Sequence, residues 1–191
     1  MNWLELTAAV LSLLCVWLGV RQHSGTWPLA MLGAALYAVV FFRARLYADA
    51  GLQCAYFALS LYGWYAWRFG TRGATDSTVL RPVRLPRAWV LPLVVLAAVG
   101  TALLGWSLAR YSDTDVPYVD AGTTVVSLIA QYLLSRKYVE NWLVWIGVDA
   151  VATGVYVYKG LWFTCGLYAV LIVLAWHGYR TWERDRRVVA A

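Results

Sequence analysis

Charge is scarce in this chain. Asp, Glu, Lys and Arg make up 14% of 191 residues, and there are only two histidines. A soluble domain of that composition has too little polar surface to cover itself. The two lysines, Lys137 and Lys159, sit at the ends of apolar runs. That excludes a mid-helix Schiff base and with it a retinal-type photoreceptor. His23 is in a loop and His177 is near the end of the last apolar run, without a Ser partner or an HExxH motif. Hydrolase chemistry is therefore not expected, and neither a metal nor a cofactor is implied. Cys15, Cys54 and Cys165 all lie in apolar runs without CxxC spacing, as small buried side chains do. No polar segment alternates basic with aromatic residues, which sets nucleic acid aside.

Apolar length is abundant. The chain is 62% hydrophobic with mean hydropathy +0.60, and a bilayer core takes about 17–25 such residues per helix. Seven spans are predicted, at 3–20, 27–43, 47–68, 88–109, 119–135, 141–158 and 160–180. The fold class expected is an all-α integral membrane protein. One long polar linker, 69–87, interrupts the spans. A shorter acidic loop, 110-RYSDTDVP-117, follows the fourth. No basic n-region or small-residue cleavage site marks a removable leader.

Arginine sets the expected topology. The side holding Arg21, the linker with Arg72, Arg136, Lys137 and the tail collects twelve of the sixteen Lys and Arg residues. Arg43, Arg45, Arg110 and Lys159 lie on the other. Cytoplasmic loops carry the basic excess, so the N-terminus is expected outside and the C-terminus in the cytoplasm of a multi-pass inner-membrane protein.

The chain repeats itself at an offset of 115. Arg21 meets Arg136, Trp27 meets Trp142 and Leu46 meets Leu161. Gly51-Leu52 meets Gly166-Leu167, Gly63 meets Gly178, Trp64 meets Tyr179 and Trp67 meets Trp182. Spans 1–3 and 5–7 read as two copies of one three-helix bundle in the same orientation, joined by an apolar fourth span. This is a 3+1+3 parallel-repeat, SWEET-like layout with substrate near the midplane. The divisions are 1–69, 70–118 and 119–191. Trp67 and Trp182 are expected as headgroup-level anchors.

The polar residues do not follow the repeat. Asp149 aligns with Ala34, Asn141 with Thr26, Gln131 with Val16, and Gln53 with Tyr168. Trp142, Trp145, Asp149, Thr153 and Tyr156 share one helix face, with Asn141 beside it. Gln53, Tyr56, Ser60, Trp64 and Trp67 form a stripe on the third span. Thr123, Thr124, Ser127 and Gln131 line the fifth. A carboxylate at a helix centre costs about 2.5–3.5 kcal/mol and reads as functional. An acid among aromatic faces suits a flat cationic ring. A pyridinium nucleoside meets that description, and so does thiamine. An uncharged sugar would not need the acid, and neither half has a Pro-Gln pair, so a SWEET-like sugar carrier ranks lower.

The runs 131-QYLLSRKYVENWLVW-145, Asp149 with 156-YVYKGL-161, and 47-YADAGLQCAYFALSLYGWYAW-67 resemble PnuC-type vitamin transporters over nearly the whole chain. The resemblance implies uptake of nicotinamide riboside by facilitated diffusion, uncoupled to ions or ATP, with cytosolic phosphorylation trapping the product. It also implies a homotrimer. The family's aromatic and amide pattern carries onto Trp142, Trp145 and Asn141, then Gln53 and Gln131. Asp149, Tyr156, Trp64 and Thr153 complete the expected substrate site.

Overall fold

The computed structural model describes residues 3–43, 47–70 and 80–190. Arg45, Leu46 and Arg72 of the sequence argument lie outside them. Seven helices occur among the described residues: α1 (Trp3–Val20), α2 (Thr26–Arg43), α3 (Tyr47–Phe69), α4 (Arg87–Tyr111), α5 (Pro117–Ser135), α6 (Asn141–Tyr158) and α7 (Trp162–Ala190). They coincide with the expected spans within one or two residues, except that α7 continues ten residues past 180.

Six helices close a ring. Helix α1 packs on α2, α2 on α3, α3 on α5, α5 on α6, α6 on α7, and α7 back on α1. Shifting each helix by one repeat maps this set of contacts onto itself. Helix α4 stands outside the ring and packs only on α5. It buries Gly105 alone and exposes Trp89, Leu91, Val94, Leu96, Leu103 and Trp106, each more than half. Water does not tolerate an apolar face that large on a monomer, whereas lipid does. Helices α4 and α7 are long and apolar enough to cross a membrane; α1 and α2 carry the shorter apolar stretches Ala9–Val20 and Thr26–Val40.

The repeat is visible bond by bond at two turns. After α1, Arg21 N–H donates to Trp17 O, Gln22 to Gly19, His23 to Leu18, Thr26 to His23 and Trp27 to Ser24. After α5 the same five bonds recur 115 residues later. Arg136 donates to Tyr132, Lys137 to Leu134, Tyr138 to Leu133, Asn141 to Tyr138 and Trp142 to Val139. Both turns pass through a left-handed residue at the helix C-terminus, a place where glycine is usual. Here the residues are Gln22 (φ 55) and Lys137 (φ 52), at a cost of about 1 kcal/mol each.

The core is a layer of tryptophans at this same end of the ring. Trp27 and Trp67 meet edge to face at 5.2 Å, Trp142 and Trp182 do so at 5.4 Å, and Trp67 and Trp182 join the two pairs at 5.9 Å. In each half the outer indole is seated on a glycine. A Cβ on Gly63 would overlap the Trp27 ring, and one on Gly178 would come within 2.7 Å of Trp142. The inner indoles bond across the halves. Trp67 Nε1–H donates to Leu134 O at 3.3 Å, and Trp182 Nε1–H donates to Val20 O at 3.1 Å. Trp67 and Trp182 are therefore not headgroup anchors: they are 6% and 0% exposed. Their apolar area and their N–H groups both find partners between the halves, which is worth more than a place at the interface.

Candidate functional site

A cavity of about 660 Å³ lies above this tryptophan layer. Trp27, Gly19, Leu134 and Trp142 border its tryptophan end, and Leu36, Tyr37 and Val40 border the far end. From Trp27 to Val40 along α2 is about 20 Å at 1.5 Å per residue. One wall is made by α1 and α2, with Ala30 and Gly33 leaving room. The other is made by α5, α6 and α7, which supply Gln131, Trp142, Trp145, Asp149 and Tyr168.

The polar groups on the second wall are held in place by neighbours. Gln131 Nε2–H donates to Ser60 Oγ at 3.3 Å, tying α5 to α3. Ser127, one turn earlier on α5, is hydrogen-bonded to Tyr56 of α3. Tyr168 is hydrogen-bonded to Tyr156, and their rings stand 5.0 Å apart. Tyr168 also lies near Asp149. Thr153 Oγ1–H donates to the Asp149 main-chain carbonyl at 2.7 Å, a turn of α6 closing on itself. The Asp149 side chain has no ion-pair partner among the described residues, although the residue is only 7% exposed. The indole N–H groups of Trp27 and Trp142 are buried and bonded to nothing among the described residues. Trp27 and Trp142, which are repeat-related, and Asp149 thus line the same cavity.

The family model for nicotinamide mononucleotide transporters matches residues 2–184. The chain belongs to that family. It is 27% identical to the nicotinamide riboside transporter PnuC of Escherichia coli K12, over 98% of this chain and 87% of the relative. It is 31% identical to the riboflavin/roseoflavin transporter RibM of Streptomyces davaonensis, over 98% of this chain and 89% of that one. The crystal structure of the vitamin B3 transporter PnuC superposes with a TM-score of 0.72 at 25% identity, covering 95% of this chain and 81% of that one. The protein is a membrane transporter of the PnuC type, and its all-α seven-helix fold is the fold of that structure.

Four of the nine expected site residues line the transporter's cavity: Gln131, Trp142, Trp145 and Asp149. The other five do not. Tyr156 is hydrogen-bonded to Tyr168, which lines the cavity. Thr153 is spent on its own helix. Asn141 is fully buried in the turn, its Nδ2–H donating to Tyr138 O at 2.6 Å. Trp64 packs against the tryptophan layer with Arg68 5.8 Å from its ring. Gln53 is half-buried on α3 away from the lining. Tyr168 and Trp27 are additions. The mismatch of Tyr168 with Gln53 is the sequence signal for the first, as Gln131 and Asp149 also lack a repeat partner. No group of three His, Cys, Asp or Glu side chains suitable for a metal occurs among the described residues.

Proposed function

We propose that this transporter carries nicotinamide riboside into the cell across the inner membrane by facilitated diffusion. The observation that carries the proposal is Asp149, without an ion-pair partner, bordering one cavity with Trp142, Trp145 and Gln131. A pyridinium ring gains from an indole face and a carboxylate together. The Gln131 amide on the same wall suits the carboxamide and ribose hydroxyls. The helix order and the repeat support a 3+1+3 arrangement, with two bundles rocking about the ligand in alternating access. No ion or ATP coupling is invoked, and cytosolic phosphorylation traps the product. The arginine bias supports a cytoplasmic C-terminus, and the exposed face of α4 is available for a homotrimer.

A second B vitamin, riboflavin, is the alternative reading. It is favoured by the likeness to RibM and by the apolar α1–α2 side of a cavity roomy enough for a larger ring. Thiamine, the other cation in the sequence argument, gains no such support. Uptake of labelled nicotinamide riboside, riboflavin and thiamine into liposomes holding the purified chain tests the order. The proposal expects nicotinamide riboside to accumulate to equilibrium without an ion gradient. Uptake of riboflavin alone would transfer the assignment.

A further inference from the structure

A short segment with no counterpart in the repeat packs against the tryptophan layer. Residues 80–86, just before α4, run extended across the turn between α5 and α6. Val83 N–H donates to Lys137 O and Val139 N–H donates to Val83 O, both at 3.0 Å. Leu85 N–H donates to Glu140 Oε2 at 2.8 Å. Arg84 lies 3.5 Å from Glu140 and 3.1 Å from Glu183 of α7. Every one of these polar partners belongs to the second half. The segment is therefore a strap fixed to α5–α7. Its first residue, Leu80, is 3% exposed and is buried in the cluster that contains Val20, Trp27 and Trp67 of the first half with Trp142 and Trp182 of the second.

Beside the strap the two left-handed residues meet. Lys137 Nζ donates to Gln22 Oε1 at 3.1 Å and lies 4.5 Å from the Trp67 ring. Gln22 Nε2–H donates to Asp185 Oδ2 at 2.9 Å. Glycine would fit both backbones with less strain, yet both positions carry side chains, and those side chains bond to each other across the junction of the halves. Lys137 is 3% exposed. Contacts inside each half, such as Trp27 on Gly63, do not change when the halves rotate. Contacts between them at an end that opens must break.

We propose that Leu80 and the Gln22–Lys137 pair form the latch of the arginine-rich gate. The strap holds Leu80 to the second half, the first half closes onto it, and the two turns bond when the gate is shut. Opening this end frees Leu80 from Val20, Trp27 and Trp67 and separates Gln22 from Lys137. The proposal rests on the alternating-access reading, but it assigns residues that touch no substrate.

Cys15 borders the cavity and provides the test. Cys54 and Cys165 do not line it and are replaced with Ser. A membrane-impermeant methanethiosulfonate is applied from each side, in right-side-out and inverted vesicles, without any vitamin. In the parent, Cys15 reacts slowly from the arginine-rich side. Leu80→Ala and Gln22→Gly raise that rate about tenfold, as the population shifts toward the open state, and lower it from the other side. Gln22→Gly relieves the left-handed strain while removing the bond, so it loses the latch without losing the fold; a thermal melt checks this. Unchanged rates from both sides in a folded Gln22→Gly protein would overturn the latch, whatever Leu80→Ala does. Because no vitamin is used, altered labelling without uptake would leave the latch standing and sink the proposed function instead.

Discussion

The two halves of the ring share a scaffold but not a surface. At the tryptophan layer they agree position for position: Trp27 with Trp142, Gly63 with Gly178, Trp67 with Trp182, and five turn bonds with five. One helical stretch deeper they diverge. Val16 stands where the second half has Gln131, Ala30 where it has Trp145, and Ala34 where it has Asp149. The first half provides space and the second provides chemistry. Duplication therefore fixes the packed layer where the halves meet, while the cavity wall is free to specialise on one side only.

Breaking the shared layer should have the largest effect. A methyl on Gly63 has nowhere to go, because Trp27 is confined by Trp67. Gly63→Ala is expected to cost about 3 kcal/mol, the upper range for overpacking. Gly178→Ala, where the Cβ would sit 2.7 Å from Trp142, costs somewhat less. Thermal unfolding in detergent measures both, and a loss confined to one half would mean the halves do not share a scaffold.

Next comes the unshared wall. Asp149→Asn keeps the shape and removes the charge. Hydrogen bonds and pairs involving a charged group are worth about 1.5–3 kcal/mol, so nicotinamide riboside uptake should fall roughly thirtyfold with folding intact. Moving the acid to its repeat position, Ala34→Asp with Asp149→Ala, should not restore it. Restoration would show that the walls are interchangeable.

Lys137 sharpens the comparison at the turns, since its counterpart Gln22 is neutral. Burial pushes the Lys137 amine down from its ordinary value to about 8. The unfolded chain then binds the extra proton between pH 8 and about 10.4, so stability rises with pH across that window. The expected gain is about 2 kcal/mol from pH 8 to 10. It should be absent in Lys137→Met, as read by melting temperature against pH. A wild-type curve parallel to the variant's would place the ammonium in water.

The smallest effect is expected where neither half is crowded. A Cβ on Gly147 or Gly154 meets nothing within 4 Å. Alanine there should raise stability by about 0.5–1 kcal/mol through helix propensity. A loss instead would point to a surface that these helices need elsewhere, and the same melts report it.

Much of this was legible in the sequence because lipid imposes a simple rule. A helix must satisfy its own backbone and show apolar side chains outward, so span lengths came through. The offset of 115 also came through, since Gly63 and Trp27 have to match each other's shape and are copied together. The strap was not legible: seven extended residues with Pro82 and Pro86 carry no period, and their partners are 54 to 56 and 99 residues away. Lys137 reads as a solvated loop charge, and only the fold shows it buried under Trp67. Helical spacing puts Thr153 and Tyr156 on one face with Asp149, yet only Asp149 of the three lines the cavity. It could not tell that Tyr168 of α7, against the Tyr156 ring, lines the cavity in its place.

Equilibrium binding of nicotinamide riboside to the purified transporter tests the asymmetric site most directly. Titration calorimetry of the wild type, Asp149→Asn, Gln131→Ala and the first-half substitution Ala30→Ser is sufficient. The asymmetric site predicts saturable binding that weakens at least tenfold in Asp149→Asn, falls in Gln131→Ala and is little changed by Ala30→Ser. Full affinity in Asp149→Asn and Gln131→Ala, in protein that melts like the wild type, would contradict it.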